Sequence, residues 1–267
     1  MELQRNLDGI RRRGLGLVAI SYDPVETLKA FADRYGIEYP LLSDVGSETI
    51  RGYGLLNTAA TGDQAGIPHP GTFVVDRKGR VVERFFEGAY QERFTANSIL
   101  VQLDGPQPGG AGGRTITTPH LSVSVRASDA VVAPGERFSL VLDVVPGPGM
   151  HVYAPGQTGY IPMTFKVAQT DAYELHPIRY PEAETYLFKP LNERVKVYQK
   201  PVRLVQDVTL SLSPDMRARA AAEGATLSIV GTLQYQACDD AVCYLPTDVP
   251  LEWTLHLTKI ESPERRR

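Results

Sequence analysis

Cysteine is scarce in this chain, because Cys238 and Cys243 are the only two among 267 residues. A small disulfide-rich secreted scaffold carries more cysteines, so that class is excluded. A structural zinc site needs three or four ligands, and no further Cys or His pair has suitable spacing, so we expect no metal. Two cysteines do not fix the compartment, since a cytosolic protein can keep both of them reduced.

Long hydrophobic runs and an excess of charge are also missing. No stretch approaches about 18 consecutive apolar residues, so we expect no transmembrane helix. The N-terminal residues lack the basic-then-apolar layout of a secretory signal peptide. The formal net charge of −3 provides no overall basic field for binding nucleic acid. The residues also predict no cofactor.

Composition divides the chain into four parts. Residues 1–104 alternate helix and strand patterns, whereas residues 118–260 carry strand patterns with one helical insert. Residues 105–113 are rich in Gly and Pro and cannot sustain a helix or a strand, and residues 105–117 are interpreted as a flexible linker between two domains. Residues 261–267 form a short basic tail.

The pattern of the first part predicts an α/β arrangement. The apolar run at residues 15–21 predicts a strand that is buried on both faces. A helix start with a capping side chain is predicted at Asp23. Residues 72–76 and 81–86 predict a β-hairpin, and residues 92–103 predict a last helix.

The pattern of the second part predicts an all-β domain. Residues 121–125 and 138–144 alternate apolar and polar side chains with a period of two, and a turn at Pro134 and Gly135 separates them. Several short strands with turn signals between them predict an antiparallel sandwich, interrupted by a helix at residues 214–223. Further strands are predicted at residues 163–167, 195–198, 202–210, 226–235 and 251–257.

The two cysteines lie five positions apart, within residues 235–246 (Tyr-Gln-Ala-Cys-Asp-Asp-Ala-Val-Cys-Tyr-Leu-Pro). A bridge between them closes a very small loop and contributes roughly 2 kcal/mol on the chain-entropy model. A staple between two sheets would join residues far apart in sequence. We therefore interpret the pair as a redox site for thiol–disulfide exchange, which needs an attackable disulfide and a thiolate leaving group. A permanent surface bridge and two reduced core cysteines remain as alternatives.

Four neighbours in sequence have predicted effects on this pair. Asp239 and Asp240 lie between the cysteines and would disfavour a thiolate, which suits an electron carrier more than an aggressive oxidant. Tyr235 and Tyr244 bracket the pair, and we expect them to shield it from stray thiols.

Four segments of the first part carry a family resemblance: residues 16–23, 28–36, 39–44 and 67–76. Together they resemble the thioredoxin-like redoxins, in particular the alkyl hydroperoxide reductase/thiol-specific antioxidant branch of the peroxiredoxins. The resemblance implies a thioredoxin-like α/β fold with Pro70 as the cis-proline beside the active site. The family's reactive cysteine would precede the helix that begins here at Glu2, so an N-terminally incomplete domain is expected. Because residues 1–237 contain no cysteine, this part has no thiolate to reduce a peroxide.

Residues 232–246, which contain both cysteines, carry a second resemblance, supported by residues 148–155, 180–184 and 197–198. They resemble the active-site region of the N-terminal periplasmic domain of the disulfide reductase DsbD. The resemblance implies an immunoglobulin-like sandwich, in agreement with the strand pattern, and it favours a periplasmic or other extracytoplasmic location.

The same resemblance assigns roles to individual residues. It implies that Cys243 forms the mixed disulfide with a thioredoxin-fold partner and that Cys238 resolves it. It places His151 and Tyr153 beside the cysteines, and it places a residue that caps the disulfide near Leu191.

The predicted function is therefore thiol–disulfide exchange through Cys238 and Cys243, with electrons passing between a thioredoxin-fold partner and a substrate protein. A non-catalytic binding or scaffold protein with a structural disulfide is an alternative from a different class. A second alternative is a fragment of a peroxiredoxin-type antioxidant enzyme whose nucleophilic cysteine lies upstream.

Overall fold

The computed structural model describes residues 2–62, 65–86, 93–107, 113–188 and 192–260. The chain divides into two compact units, Met1–Leu100 and Val101–Arg267. The linker predicted at residues 105–117 and the basic tail at residues 261–267 lie partly or wholly outside the described residues. The domain boundaries drawn from composition stay a prediction, but residues 114–117 of the predicted linker form a strand of the second unit.

The first unit alternates helices and strands, as the sequence predicts. Its elements, the last of which runs on into the second unit, are α1 (Glu2–Arg5), α2 (Leu7–Arg12), β1 (Ala19–Ser21), α3 (Val25–Tyr35), β2 (Leu41–Ser43), α4 (Glu48–Gly52), β3 (Gly71–Val75), β4 (Val81–Phe86), β5 (Arg93–Phe94) and α5 (Ala96–Leu103). Strands β1 and β2 pair in parallel, and β3 and β4 form the predicted antiparallel hairpin.

Three details of the first unit differ from the predictions. The strand predicted to be buried on both faces is partly exposed, and Ile20 in β1 is 40% exposed. Within the described residues β1 pairs with β2 alone, and an isolated two-stranded sheet is marginal in water. The Asp23 carboxylate accepts a hydrogen bond from the Ser21 hydroxyl instead of capping α3. Helix α5 begins at Ala96, and the predicted start at Glu92 lies outside the described residues.

The predicted cis peptide bond at Pro70 is also wrong, because no peptide bond among the described residues is cis. The trans form of an X–Pro bond is favoured by about 0.5–1 kcal/mol, so a cis bond persists only where its surroundings select it. Here the adjoining backbone is already paired. The His69 N–H donates to the Leu55 carbonyl at 2.7 Å, and Leu56 forms an isolated bridge with Pro68.

The second unit is rich in strands and contains the predicted helical insert. The Ser213 hydroxyl caps that insert by accepting a hydrogen bond from the Met216 N–H at 3.2 Å. Its elements are β6 (Arg114–Thr117), β7 (Leu121–Ala127), β8 (Val131–Val132), β9 (Glu136–Pro146), β10 (His151–Tyr153), β11 (Thr164–Val167), β12 (Tyr173–Leu175), β13 (Glu184–Phe188), β14 (Glu193–Tyr198), β15 (Val202–Leu210), α6 (Pro214–Ala221), β16 (Thr226–Tyr235), β17 (Ala237–Cys238) and β18 (Thr247–Leu257).

The strands of this unit form an immunoglobulin-like β-sandwich, which confirms the predicted fold class. One sheet has the order β12-β15-β9-β7-β6, and a second has the order β11-β16-β18-β8. Strand β18 shows how the sequence builds the core: Val249, Leu251 and Trp253 are buried, and the residues between them are exposed. A third, smaller sheet has the order β13-β14-β10-β17 and carries Cys238.

A buried ion pair joins two central strands of the first of these sheets. Asp143 in β9 lies opposite Arg203 in β15 and is 1% exposed. The guanidinium donates through Nε to Oδ1 at 2.7 Å and through Nη2 to Oδ2 at 2.9 Å. Its Nη1 donates to the carbonyl oxygens of Val101 and Asp104, at 3.0 Å each. Val101 and Asp104 belong to the second unit, so the guanidinium also binds the first backbone residues of that unit to its own sheet.

Replacing Asp143 with alanine is expected to destabilise the second unit by about 3–5 kcal/mol, because it leaves the Arg203 guanidinium buried without its counter-charge. Urea unfolding measures the loss. The matched control is Asp248→Ala, since the Asp248 carboxylate is exposed and accepts only from Gln234 among the described contacts; a change within about 0.5 kcal/mol is expected there. Equal stabilities for the two variants would contradict the assigned role of the pair.

Candidate active site

Cys238 and Cys243 form a disulfide, with their Cα atoms 4.1 Å apart. Cys238 is the last residue of β17, and Cys243 returns opposite it as an isolated antiparallel bridge. Two backbone hydrogen bonds close the turn: the Asp239 N–H donates to the Val242 carbonyl at 3.0 Å, and the Tyr244 N–H donates to the Ala237 carbonyl at 2.9 Å. Both sulfur atoms are therefore held at the base of one tight turn.

Asp239 organises this turn. Its Oδ1 accepts from the N–H groups of Ala241 at 2.8 Å and Val242 at 2.7 Å, and its Oδ2 accepts from the Tyr244 hydroxyl at 2.9 Å. These hydrogen bonds, the backbone ones foremost, lower the pKa of Asp239 below its usual value. The sequence assigned Asp239 an electrostatic effect on a thiolate, and the structure gives it a second role as the residue that folds the loop.

The two sulfur-bearing residues differ in exposure. Cys238 is fully buried, at 0% exposure, whereas Cys243 is half-buried. Exposed apolar side chains flank Cys243: Val242 is 52% exposed and Leu245 is 85% exposed. Of the two cysteines, only Cys243 therefore has any surface exposed to solvent.

Strand β10 brings Tyr153 to the disulfide. In the pairing of β10 with β17, His151 lies opposite Cys238, and side chains two positions apart share one face of a strand. The Tyr153 hydroxyl lies 3.1 Å from the sulfur of Cys238 and 3.4 Å from that of Cys243. Because a disulfide sulfur carries no hydrogen, the hydroxyl is the donor to both.

The Tyr153 hydroxyl is held in its protonated form. Burial raises its pKa, and the neighbouring Tyr160 raises it further. The two rings are stacked, with centroids 4.1 Å apart, and the Tyr160 hydroxyl donates to Glu193 at 2.8 Å. Tyr153 can thus stabilise negative charge on a sulfur by a hydrogen bond, but it gives up its own proton only at high pH.

His151 is the second side chain that β10 places at the site, and it is 1% exposed. Its ring centroid lies 4.7 Å from that of Tyr186, 5.6 Å from that of Tyr153 and 6.4 Å from that of Phe188. No hydrogen-bond partner for its Nε2 is found among the described residues. Burial lowers the pKa of His151, and the charges of Asp240 and Asp239 partly oppose this shift.

The two bracketing tyrosines occupy different environments. Tyr244 lies in the turn, bonded to Asp239, and its ring centroid is 4.3 Å from that of His120. Tyr235 packs in the main sandwich core, and its hydroxyl lies 2.8 Å from that of Thr118. The cluster around Cys238 does not include Tyr235. The predicted capping position, Leu191, lies outside the described residues.

Three aromatic residues of the site went unnoticed in the sequence. Tyr186 and Phe188, from β13, and Tyr160, from the loop after β10, pack with Cys238, Tyr153 and two valines of β14 in a separate apolar cluster. The Tyr186 hydroxyl also donates to Asp240. The alternation of Tyr186 and Phe188 was a usable signal, because both point to one face of a strand. Tyr160 carries no such local signal.

In the described part of the chain, no group of three His, Cys, Asp or Glu side chains is placed to hold a metal ion. No helix in the described ranges is long and apolar enough to span a membrane.

Comparison with protein families confirms both resemblances. Residues 1–84 match the AhpC/TSA family, and residues 121–251 match the family described as thiol:disulfide interchange protein DsbD, N-terminal. The second match contains both cysteines, His151 and Tyr153. Among curated relatives, alkyl hydroperoxide reductase E of Mycobacterium tuberculosis and that of Mycobacterium bovis are each 38% identical over 88 residues, which are 32% of this chain and 53% of the relative. The chain thus spans about half the length of the curated relatives it matches.

The solved structures that are similar to part of the chain include two N-terminal domains. The N-terminal periplasmic domain of ScsB from Proteus mirabilis has a TM-score of 0.39 at 17% identity, covering 54% of this chain and 51% of the other. The Neisseria meningitidis DsbD N-terminal domain in the reduced form has a TM-score of 0.30 at 16% identity, covering 45% and 82%.

Replacing Tyr244 with phenylalanine is expected to raise the pKa of Asp239, since the carboxylate then loses one of its three hydrogen-bond donors. Because the folded-state pKa lies below the ordinary value of 3.8, Asp239 stabilises the fold above that pH and loses this contribution as pH falls through the folded pKa. An NMR titration of the Asp239 carboxyl carbon measures the shift. Tyr235→Phe is the matched control and should leave the titration unchanged; an unchanged titration in Tyr244→Phe as well would refute the role given to its hydroxyl.

Proposed function

We propose that the second unit, which matches the DsbD N-terminal family over residues 121–251, passes electrons by thiol–disulfide exchange between a thioredoxin-fold partner and a substrate protein. The observation that carries the proposal is the difference in exposure between the two cysteines of one short loop. Cys243 is half-buried and Cys238 is fully buried, so Cys243 is the sulfur that a thiolate attacks. Cys238 is then the leaving group, and it later attacks Cys243 to close the disulfide again.

The reaction begins at Cys243. A thiolate of the reduced partner attacks the Cys243 sulfur, the bond to Cys238 breaks, and Cys238 leaves as a thiolate that takes up a proton. The second thiolate of the partner then attacks the partner's own sulfur in the mixed disulfide and releases Cys243, which is protonated in turn. The two thiols of the partner are now oxidised to a disulfide, and Cys238 and Cys243 have together gained two electrons and two protons. The same steps in reverse reduce the disulfide of a substrate protein.

The surroundings of the disulfide support this use. The Tyr153 hydroxyl, 3.1 Å from the Cys238 sulfur, can donate to the thiolate that leaves, and hydrogen bonds to a charged acceptor are about twice as strong as neutral ones. The exposed Val242 and Leu245 give a docking partner apolar contact on either side of Cys243. A bridge across so small a loop stabilises the fold by only roughly 2 kcal/mol, so opening it costs the fold little.

We further propose that the reaction takes place outside the cytoplasm. Disulfides persist in oxidising compartments, whereas cytosolic thiols are kept reduced. The matched family is also the N-terminal part of a thiol:disulfide interchange protein.

Single-cysteine variants test the proposal and its direction. Cys238→Ala and Cys243→Ala are each incubated with a thioredoxin that keeps only its attacking cysteine, activated as the thionitrobenzoate mixed disulfide so that no second thiolate can release the adduct, and the mixed disulfides are counted on a non-reducing gel. Cys238→Ala is expected to form the adduct through the accessible Cys243. Cys243→Ala is expected to form at least about tenfold less, because its remaining sulfur is buried and exchange requires access.

The alternative of a scaffold with a structural disulfide makes the opposite prediction. It is supported if neither variant forms an adduct and the bridge of the unaltered protein resists dithiothreitol. Equal adducts from both variants would leave exchange in place but refute the assignment of Cys243 as the attacked sulfur.

A further inference from the structure

We propose that His151 is the proton acceptor for the Cys238 thiol when Cys238 resolves the mixed disulfide, and the proton donor to the Cys238 thiolate in the reverse step. The inference rests on the proposed exchange function and adds a catalytic residue to it. It arises from a buried imidazole nitrogen that has no partner among the described residues, on the residue directly opposite the buried cysteine in the sheet.

Strand register places the imidazole next to the correct cysteine. His151 and Cys238 lie directly opposite each other in the antiparallel pairing of β10 with β17. Directly opposed side chains have Cβ atoms roughly 4.5–5.5 Å apart on the same face of the sheet. Tyr153, two positions along β10 and on that same face, already contacts the Cys238 sulfur at 3.1 Å. The ring of His151 therefore shares the space around Cys238.

The Nε2 atom of His151 is buried and has no hydrogen-bond partner among the described residues, which is unusual. The large majority of buried side-chain polar atoms in proteins have a hydrogen-bond partner, and an exception calls for an explanation. Within the described residues the Nε2 atom of His151 has none, although the residue is 1% exposed. Because His151 pairs across the sheet with Cys238, whose sulfur must alternate between thiol and thiolate, proton transfer to and from that sulfur explains the unpaired nitrogen.

The other polar groups at the site are less suited to take the proton. The Tyr153 hydroxyl is a donor whose pKa is raised, so it serves as a hydrogen-bond donor. Both carboxylate oxygens of Asp239 already accept hydrogen bonds within the turn. Asp240 accepts from the Tyr186 hydroxyl and is exposed, away from the buried sulfur.

The charges that face His151 allow it to work in both directions. Tyr153 on its own strand and Tyr186 on β13 present neutral rings, and Asp239 and Asp240 in the turn present carboxylates. Burial lowers the pKa of His151 and keeps the resting ring neutral, which is the form that accepts a proton. The two carboxylates favour the imidazolium once it has formed.

The resolving step then balances as follows. The Cys238 thiol gives its proton to Nε2, and the resulting thiolate attacks the Cys243 sulfur of the mixed disulfide. The Cys238–Cys243 bond forms, the bond between Cys243 and the other sulfur breaks, and that sulfur leaves as a thiolate. The imidazolium returns its proton to water or to the departing thiolate. The cysteine pair has lost two electrons, and the released group has gained them.

Ellman's reagent separates this step from the first attack. The fully reduced protein releases one thionitrobenzoate when Cys243 attacks the reagent and a second when Cys238 resolves the mixed disulfide. In His151→Phe the second release is expected to slow by about a hundredfold or more at neutral pH, the lower end of general acid–base effects. The first release should be unchanged, and the pH at which the second release accelerates should rise towards the pKa of an unassisted buried thiol.

Controls separate this role from loss of packing. His151→Gln keeps a polar side chain that does not titrate, and it is expected to slow the second release as much as His151→Phe does. It therefore tests the inference even where phenylalanine disturbs the fold. His256→Phe removes an exposed histidine at the far end of β18 and should behave as the unaltered protein. If both His151 variants keep the second-release rate and pH profile of the unaltered protein, the inference about His151 is overturned while the exchange function stands. If the unaltered protein releases only one thionitrobenzoate, the exchange function fails together with it.

Discussion

The register of β10 is the constraint on which the site depends. This short strand pairs with β14 on one side and with β17 on the other, and the second pairing sets His151 opposite Cys238. Because side chains alternate between the faces of a strand, a shift of one residue would turn both His151 and Tyr153 away from the disulfide. All three residues of β10 are buried, so the register is fixed by packing on both faces.

Two separate apolar clusters meet at β10. The sandwich core lies on one side, with Val152 and Ala237 among its members, and the aromatic cluster that contains Cys238 and Tyr153 lies on the other. The buried cysteine is therefore part of a packed interior, while its partner belongs to an exposed turn organised by Asp239. Under the proposed exchange, the disulfide can open at Cys243 without unpacking the cluster that holds Cys238.

Much of the fold and the centre of the site could be predicted from the sequence. The strand β18, the helical insert α6 and the β3–β4 hairpin follow from local patterns, and local patterns persist in the fold when the core agrees with them. The redox role of Cys238 and Cys243 could be predicted because the two cysteines lie only five positions apart in sequence. Tyr235 could not be assigned to a face from its proximity to Cys238, since the turn of the chain at residue 236 separates the two environments. Tyr160 was invisible, because only the tertiary stacking on Tyr153 brings it to the site.

The electrostatics of the loop also differ from what its composition indicates. Two aspartates between two cysteines indicate a negative field that opposes a thiolate. The charge of Asp239, however, is directed into the turn, where backbone N–H groups and the Tyr244 hydroxyl compensate it, and Asp240 is bonded to Tyr186. The Tyr153 hydroxyl, which donates, contacts the buried sulfur, and the imidazole of His151, whose resting form can accept, lies opposite Cys238 in the sheet. A donor and an acceptor on one face of one strand supply what a sulfur needs to alternate between leaving group and nucleophile. The carboxylates act on this chemistry through the imidazolium that they stabilise.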